Sequence, residues 1–72
     1  MVNREQLIVL GKHIKALREA KKLTQKELAH SLGKDQQSIQ RLESGNVNPS
    51  YVYLLSIAKG LDISLAELID IK

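Results

Sequence analysis

The chain contains no cysteine, which rules out a disulfide framework and any metal site built on thiolates. Its two histidines, His13 and His30, have no ligand-like spacing to each other or to a pair of carboxylates. They are expected at solvent-facing helix positions, with no metal and no cofactor. No apolar run approaches the length of a membrane span, and the N-terminus lacks the pattern of a signal peptide, so the expected location is the cytoplasm. No strand-like alternation, internal repeat or low-complexity segment occurs. An enzyme is not expected either. Seventy-two residues give little length for a cleft, and the sequence offers no nucleophile–base pair and no glycine-rich phosphate loop.

A chain of this length makes one small domain, residues 1–72, with a modest core and marginal stability alone. The punctuation divides it into five helices. Asn3 followed by Gln6 forms a capping box, and Leu7, Leu10, Ile14 and Leu17 then recur at helical spacing to Lys21 and Lys22. That predicts helix one over residues 4 to 21. Thr24 with Glu27 opens helix two, whose Leu28, Ala29 and Leu32 face inward before Gly33 stops it. Asp35 caps helix three, which runs to about Ser44 and ends at Gly45. After the loop SGNVNPS, Pro49 and Ser50 start helix four, with Leu54, Ile57, Ala58 and Leu61 as its inner stripe. Ser64 with Glu67 caps helix five, which returns Leu65 and Leu68 to the core. The expected fold is a compact, all-α five-helix bundle.

Helix three carries the most specific chemistry. At about 100° per residue, Gln36, Gln37, Gln40 and Arg41 fall within about 140° of arc, while Ile39 and Leu42 point the opposite way. A helix with an apolar back and an amide–guanidinium front suits the DNA major groove, because glutamine pairs bidentately with adenine and arginine with guanine. Charge is polarised in the same direction. Residues 1–41 hold nine Lys or Arg against four acids, a net +5, whereas residues 42–72 hold two against four, a net −2. The basic half is therefore the half with the candidate reading helix, as an electrostatic footprint for phosphate requires.

Residues 10 to 69 resemble the Cro and phage-repressor family of helix-turn-helix domains, also called the xenobiotic response element family. The resemblance rests on LxxxIxxLR (Leu10, Ile14, Leu17, Arg18), LTQKELA (Leu23 to Ala29), LG (Leu32, Gly33), SIQRLESG (Ser38 to Gly45), NPS (Asn48 to Ser50) and LLSIAKGLDISLAELI (Leu54 to Ile69). Their order and spacing carry it, rather than any one motif. Two departures from the family pattern stand out. Asp62 stands where glycine is usual at the end of helix four, and Asn46 with Val47 occupies a loop where many members carry a basic residue.

The resemblance implies a helix-turn-helix at helices two and three, with helix three in the major groove and the start of helix two on the DNA backbone. Gln36, Gln37, Gln40 and Arg41 are then the base-reading residues. Gln25 becomes the natural phosphate ligand at the positive end of helix two, with Lys26, Lys34 and Ser38 as further backbone contacts. Ser44, Gly45 and Asn46 offer a second backbone clamp at the far end of helix three. The resemblance further implies that Arg18 and Glu43, which both lie beside the core by their spacing, form a structural ion pair. Val52 and Tyr53 on helix four, with Ile69 and Ile71 at the C-terminus, suggest an apolar partner surface. A two-fold homodimer would place two reading helices about 34 Å apart and demand an inverted-repeat site. The expected function is that of a small transcriptional regulator, most simply a repressor, acting on double-stranded DNA. An antitoxin that uses the same apolar surface for a toxin partner, and a controller of a restriction-modification operon, are the alternatives that the residues leave open.

Overall fold

In a computed structural model, residues 3 to 71 of the chain are described. They form α1 (Arg4–Ala20), α2 (Gln25–Ser31), α3 (Gln36–Glu43), α4 (Tyr51–Gly60) and α5 (Leu65–Leu68), with no strand among the described residues. Each helix starts where a short polar side chain covers a backbone N–H that has no partner within the helix. Asn3, Thr24 and Ser64 form reciprocal capping boxes with Gln6, Glu27 and Glu67. Asp35 caps α3 and Ser50 caps α4 by accepting from Ser38 and Tyr53 backbone N–H groups.

The core collects one stripe from each helix. Ile14, Leu28, Ala29, Ile39, Leu42, Ile57, Ala58, Leu61 and Leu68 form one buried cluster, with Leu10, Leu17, Leu54 and Leu65 packed partly buried around it. The apolar spacing of every helix is thus realised as a shared interior. Asp62, where glycine is usual, adopts the left-handed conformation after α4, with φ 56°. Lys22, which follows α1, also does so at φ 59°, a feature that no residue preference announced.

Two glycines set how closely α1 approaches the end of α3. A Cβ at Gly11 would lie 2.5 Å from the Glu43 carbonyl oxygen and 2.6 Å from that of Leu42, so the two backbones meet there without a side chain between them. Gly45, at φ +77°, ends α3 and leaves no room for a Cβ either, which would lie 2.8 Å from Ile8 Cα. Around Ile8 and Gly11, α1 therefore rests directly on the C-terminal end of α3. His13 differs from its expected solvent position, because it is half-buried and its ring nitrogen lies 3.3 Å from the Glu67 carbonyl oxygen of α5.

Candidate nucleic-acid interface

The orientation of α3 is fixed from its buried side. Arg18 of α1 and Glu43 at the end of α3 are each only 7% exposed. Arg18 Nε donates to Glu43 Oε2 at 2.6 Å and Nη2 to Oε1 at 3.2 Å, the bidentate fork that suits a carboxylate. Nη1 donates to the Leu23 carbonyl at 2.6 Å, which ties the turn before α2 into the same network. The hydrogen bond to Glu43 raises the Arg18 pKa above its ordinary value, so the guanidinium stays charged at every accessible pH. The pair lies deeper than a position merely beside the core, and it joins α1, the α1–α2 turn and α3.

Gln25 belongs to this network as well. Its Nε2 donates to Glu43 Oε1 at 2.9 Å, and the residue is half-buried. As the first residue of α2, it stands at a helix start where backbone N–H groups have no helical partner. One amide proton is engaged with Glu43, and the second has no acceptor among the described residues.

Opposite the buried Ile39 and Leu42, Gln36, Gln37, Gln40 and Arg41 are all exposed. Among the described residues, none of these four side chains makes a hydrogen bond to the rest of the chain. Asp35 sets the start of this face: its Oδ1 accepts from the Ser38 backbone N–H at 2.9 Å and from Ser38 Oγ at 2.8 Å. These bonds hold the Asp35 carboxyl below its ordinary pKa. They also alter the expectation for Ser38. A hydroxyl has one proton to donate, and that proton is directed at Asp35 rather than outward to a phosphate.

Lys26, Glu27, His30, Lys34, Asp35 and Gln36 line an open groove between α2 and the start of α3. Lys26 and Lys34, expected as backbone contacts, are exposed on its rim. His30 shares that groove, a place its isolated position in the sequence did not signal.

At the far end of α3 the clamp differs from expectation. The backbone N–H groups of Ser44, Gly45 and Asn46 donate to the carbonyls of Gln40, Leu42 and Arg41 at 3.0, 3.2 and 2.9 Å, closing the helix end. They are not available to DNA. What this end presents is the exposed Ser44 and Asn46 side chains, together with Arg4, whose Nη2 donates to Asn46 Oδ1 at 2.6 Å.

Tyr53 also departs from its expected place on a partner surface. It is half-buried against the core, and Lys34 Nζ stands 4.9 Å from the centre of its ring, within cation–π range. Val47, Ser38 and Arg41 complete the pocket around it. Burial, with a smaller contribution from Asp35, raises the phenol pKa, and the hydroxyl is buried without a hydrogen-bond partner among the described residues. Tyr53 precedes Ile57 by four residues, so the helical spacing that marks the inner stripe of α4 marks Tyr53 too. The outward apolar face of α4 consists instead of Tyr51, Val52 and Leu55, with Val52 at 68% exposure. Ile69 and Ile71 are exposed as expected, and Ile71 shares a surface groove with Val9 of α1.

A short capped helix, a tight turn at Gly33 and a second helix that buries one face and leaves a polar front define a helix-turn-helix unit. The helix-turn-helix family profile HTH_3 matches residues 14–68. The chain belongs to the Cro/C1-type helix-turn-helix family of DNA-binding transcriptional regulators. The HTH-type transcriptional regulator y4dJ of Sinorhizobium fredii is 36% identical over 61 residues, covering 85% of this chain and 79% of that protein. Among solved structures, the restriction-modification controller protein C.AhdI of Aeromonas hydrophila is 37% identical with a TM-score of 0.86, over 90% of this chain and 98% of its own. The clp gene regulator ClgR of C. glutamicum is 28% identical with a TM-score of 0.81, over 85% and 79%.

Proposed function

We propose that residues 1–72 act as one DNA-binding domain that reads an inverted-repeat operator as a homodimer and represses transcription in the cytoplasm. Support comes above all from α3, where four hydrogen-bonding side chains without partners among the described residues stand opposite the fully buried Ile39. In this reading α3 lies in the major groove, with Gln36, Gln37 and Arg41 contacting base edges and Gln40 at the margin. Gln25, Lys26, Lys34, Ser44 and Asn46 contact the backbone and set register without carrying sequence information. Tyr53 steadies Lys34 and the underside of α3 from behind the interface.

Dimerisation follows from the limits of one short helix. A single α3 spans few base pairs and discriminates poorly among the competing sites of a genome, and two half-sites on one dimer supply the missing specificity. The exposed Val52, Ile69 and Ile71, joined by Tyr51, Leu55 and Val9, are apolar enough to serve as the contact. A controller of a restriction-modification operon is the more particular reading, favoured by the likeness to C.AhdI over nearly all of that chain. An antitoxin would cover the same apolar residues with a toxin partner.

Selection of sites from a random duplex pool tests the base-reading face. Gln37→Ala and Arg41→Ala are each expected to relax preference at one position per half-site, at a cost of about 1–3 kcal/mol in specific binding. Unchanged selected motifs for both variants would refute the assignment. Sedimentation with the selected operator, for the wild type and Val52→Asp, tests assembly. The homodimer reading expects a two-fold complex that the variant loses. A monomer that binds one half-site as tightly as the full repeat would reverse it.

A further inference from the structure

Arg4 and Asn46 are 42 residues apart in the chain, yet Arg4 Nη2 lies 2.6 Å from Asn46 Oδ1, and both residues are exposed. The contact is not a chance meeting of two loose side chains. Gly11 and Gly45 bring the α1 backbone directly onto the end of α3, so the first turn of α1 is carried to the loop that follows the reading helix.

An arginine is poorly placed there for the sake of the helix itself. The start of a helix bears partial positive charge and favours acids, a preference met by the neighbouring Glu5. Its value must therefore lie in what it faces. The loop has Asn46 and Val47 and no cation of its own at these positions, and the backbone N–H groups of Ser44, Gly45 and Asn46 are occupied by the helix end.

Geometry sets what lies opposite. The eight residues of α3 span about 12 Å at 1.5 Å per residue, close to the roughly 12 Å width of the major groove. A helix of this length seated in the groove has phosphates beyond both ends. Lys26 and Lys34 stand near the first end, and Arg4 with Asn46 stands at the second.

We propose that Arg4 is a DNA phosphate ligand, which supplies from α1 the cation that the loop after α3 does not contain. Asn46 Oδ1 orients the guanidinium by accepting from one Nη, and the remaining N–H groups form a fork toward the non-bridging oxygens of a backbone phosphate. The Asn46 amide nitrogen donates alongside. The proposal rests on the DNA-binding reading above and deepens it.

The test is equilibrium binding of the full chain to its selected operator and to an unrelated duplex across a series of salt concentrations. Arg4→Ala is expected to weaken both duplexes by the same factor. The slope of log K against log salt should fall in magnitude by about 0.9 for each subunit bound. Arg4→Lys should keep the slope and lose part of the affinity, since an ammonium cannot form the fork. Asn46→Asp separates this role from a structural one: a carboxylate would tie Arg4 to the loop more firmly but neutralise it. The proposal therefore expects weaker binding and a smaller slope with the urea midpoint maintained. Tight wild-type binding with an unchanged slope in Arg4→Ala overturns the Arg4 assignment alone, and wild-type affinity in Asn46→Asp overturns it together with the Asn46 contact. A wild-type chain that prefers no duplex overturns the DNA reading and this proposal with it.

Discussion

On the inner side of α3, both carboxylate oxygens of Glu43 are occupied, by two nitrogens of Arg18 and the amide of Gln25, within hydrogen-bonding distances of 2.6 to 3.2 Å. On the outer side, Gln36, Gln37, Gln40 and Arg41 reach solvent, and among the described residues they bond to nothing in the chain. One helix thus has a face whose polar groups are satisfied internally and another whose polar side chains, among the described residues, have no partner. The first holds an angle, because a buried charge pair is intolerant of displacement. The second is exposed and makes no contact that the fold is seen to need. Under the proposed reading, recognition is separable from scaffolding on a helix of eight residues because two side chains, Ile39 and Leu42, and one ion pair anchor it from behind.

Breaking the inner face should have the largest effect. Glu43→Ala leaves Arg18 buried and without its carboxylate, and a loss of about 3 kcal/mol is expected in urea unfolding. Glu19→Ala, at an exposed position on α1, serves as the reference. Equal midpoints for the two variants would show the pair to be dispensable. The outer face should behave oppositely: the double variant Gln37→Ala, Arg41→Ala is expected to unfold within about 0.5 kcal/mol of the wild type. A larger loss would mean that the reading face also supports the fold.

The smallest effect concerns the caps that start the two helices of the motif. Hydrogen bonds from Ser38 and Thr24 lower the pKa values of Asp35 and Glu27. A carboxylate with a depressed folded-state pKa contributes stability above its unfolded value, near 4, and loses it as pH falls through the folded value. Asp35→Asn keeps a competent cap but removes one such titration. Its unfolding free energy should therefore decline less steeply than that of the wild type between about pH 5 and about pH 3. Identical acid limbs in thermal or urea unfolding would remove Asp35 from the account.

How much of this could be read from residues alone follows from the range of the interactions. Asn3 with Gln6, Thr24 with Glu27 and Ser64 with Glu67 are pairs three residues apart, so their spacing predicts both partners and the helix start they form. The exposed arc of α3 follows in the same way from a repeat of 3.6 residues. The stripe Leu54, Ile57, Ala58 and Leu61 leaves Tyr53 outside, although its four-residue spacing to Ile57 admits it, and the fold packs it against the core. Ser38 illustrates a different limit, since its spacing to Asp35 was visible but the direction of its single proton was not.

Residues within a turn or two of each other were enough to determine the helix boundaries, the inner stripe of each helix except for Tyr53, the polar front of α3 and the basic character of the N-terminal half. Tertiary structure decided the contacts that cross the chain: Arg18 with Glu43, 25 residues apart, was implied by family resemblance and acquired its fork and its link to Leu23 only in the fold. Arg4 with Asn46 and His13 with Glu67, 42 and 54 residues apart, had no local signal at all. Such pairs depend on where two helices cross and how near they come. That distance was set at Gly11 and Gly45, where a missing Cβ lets one backbone rest on another.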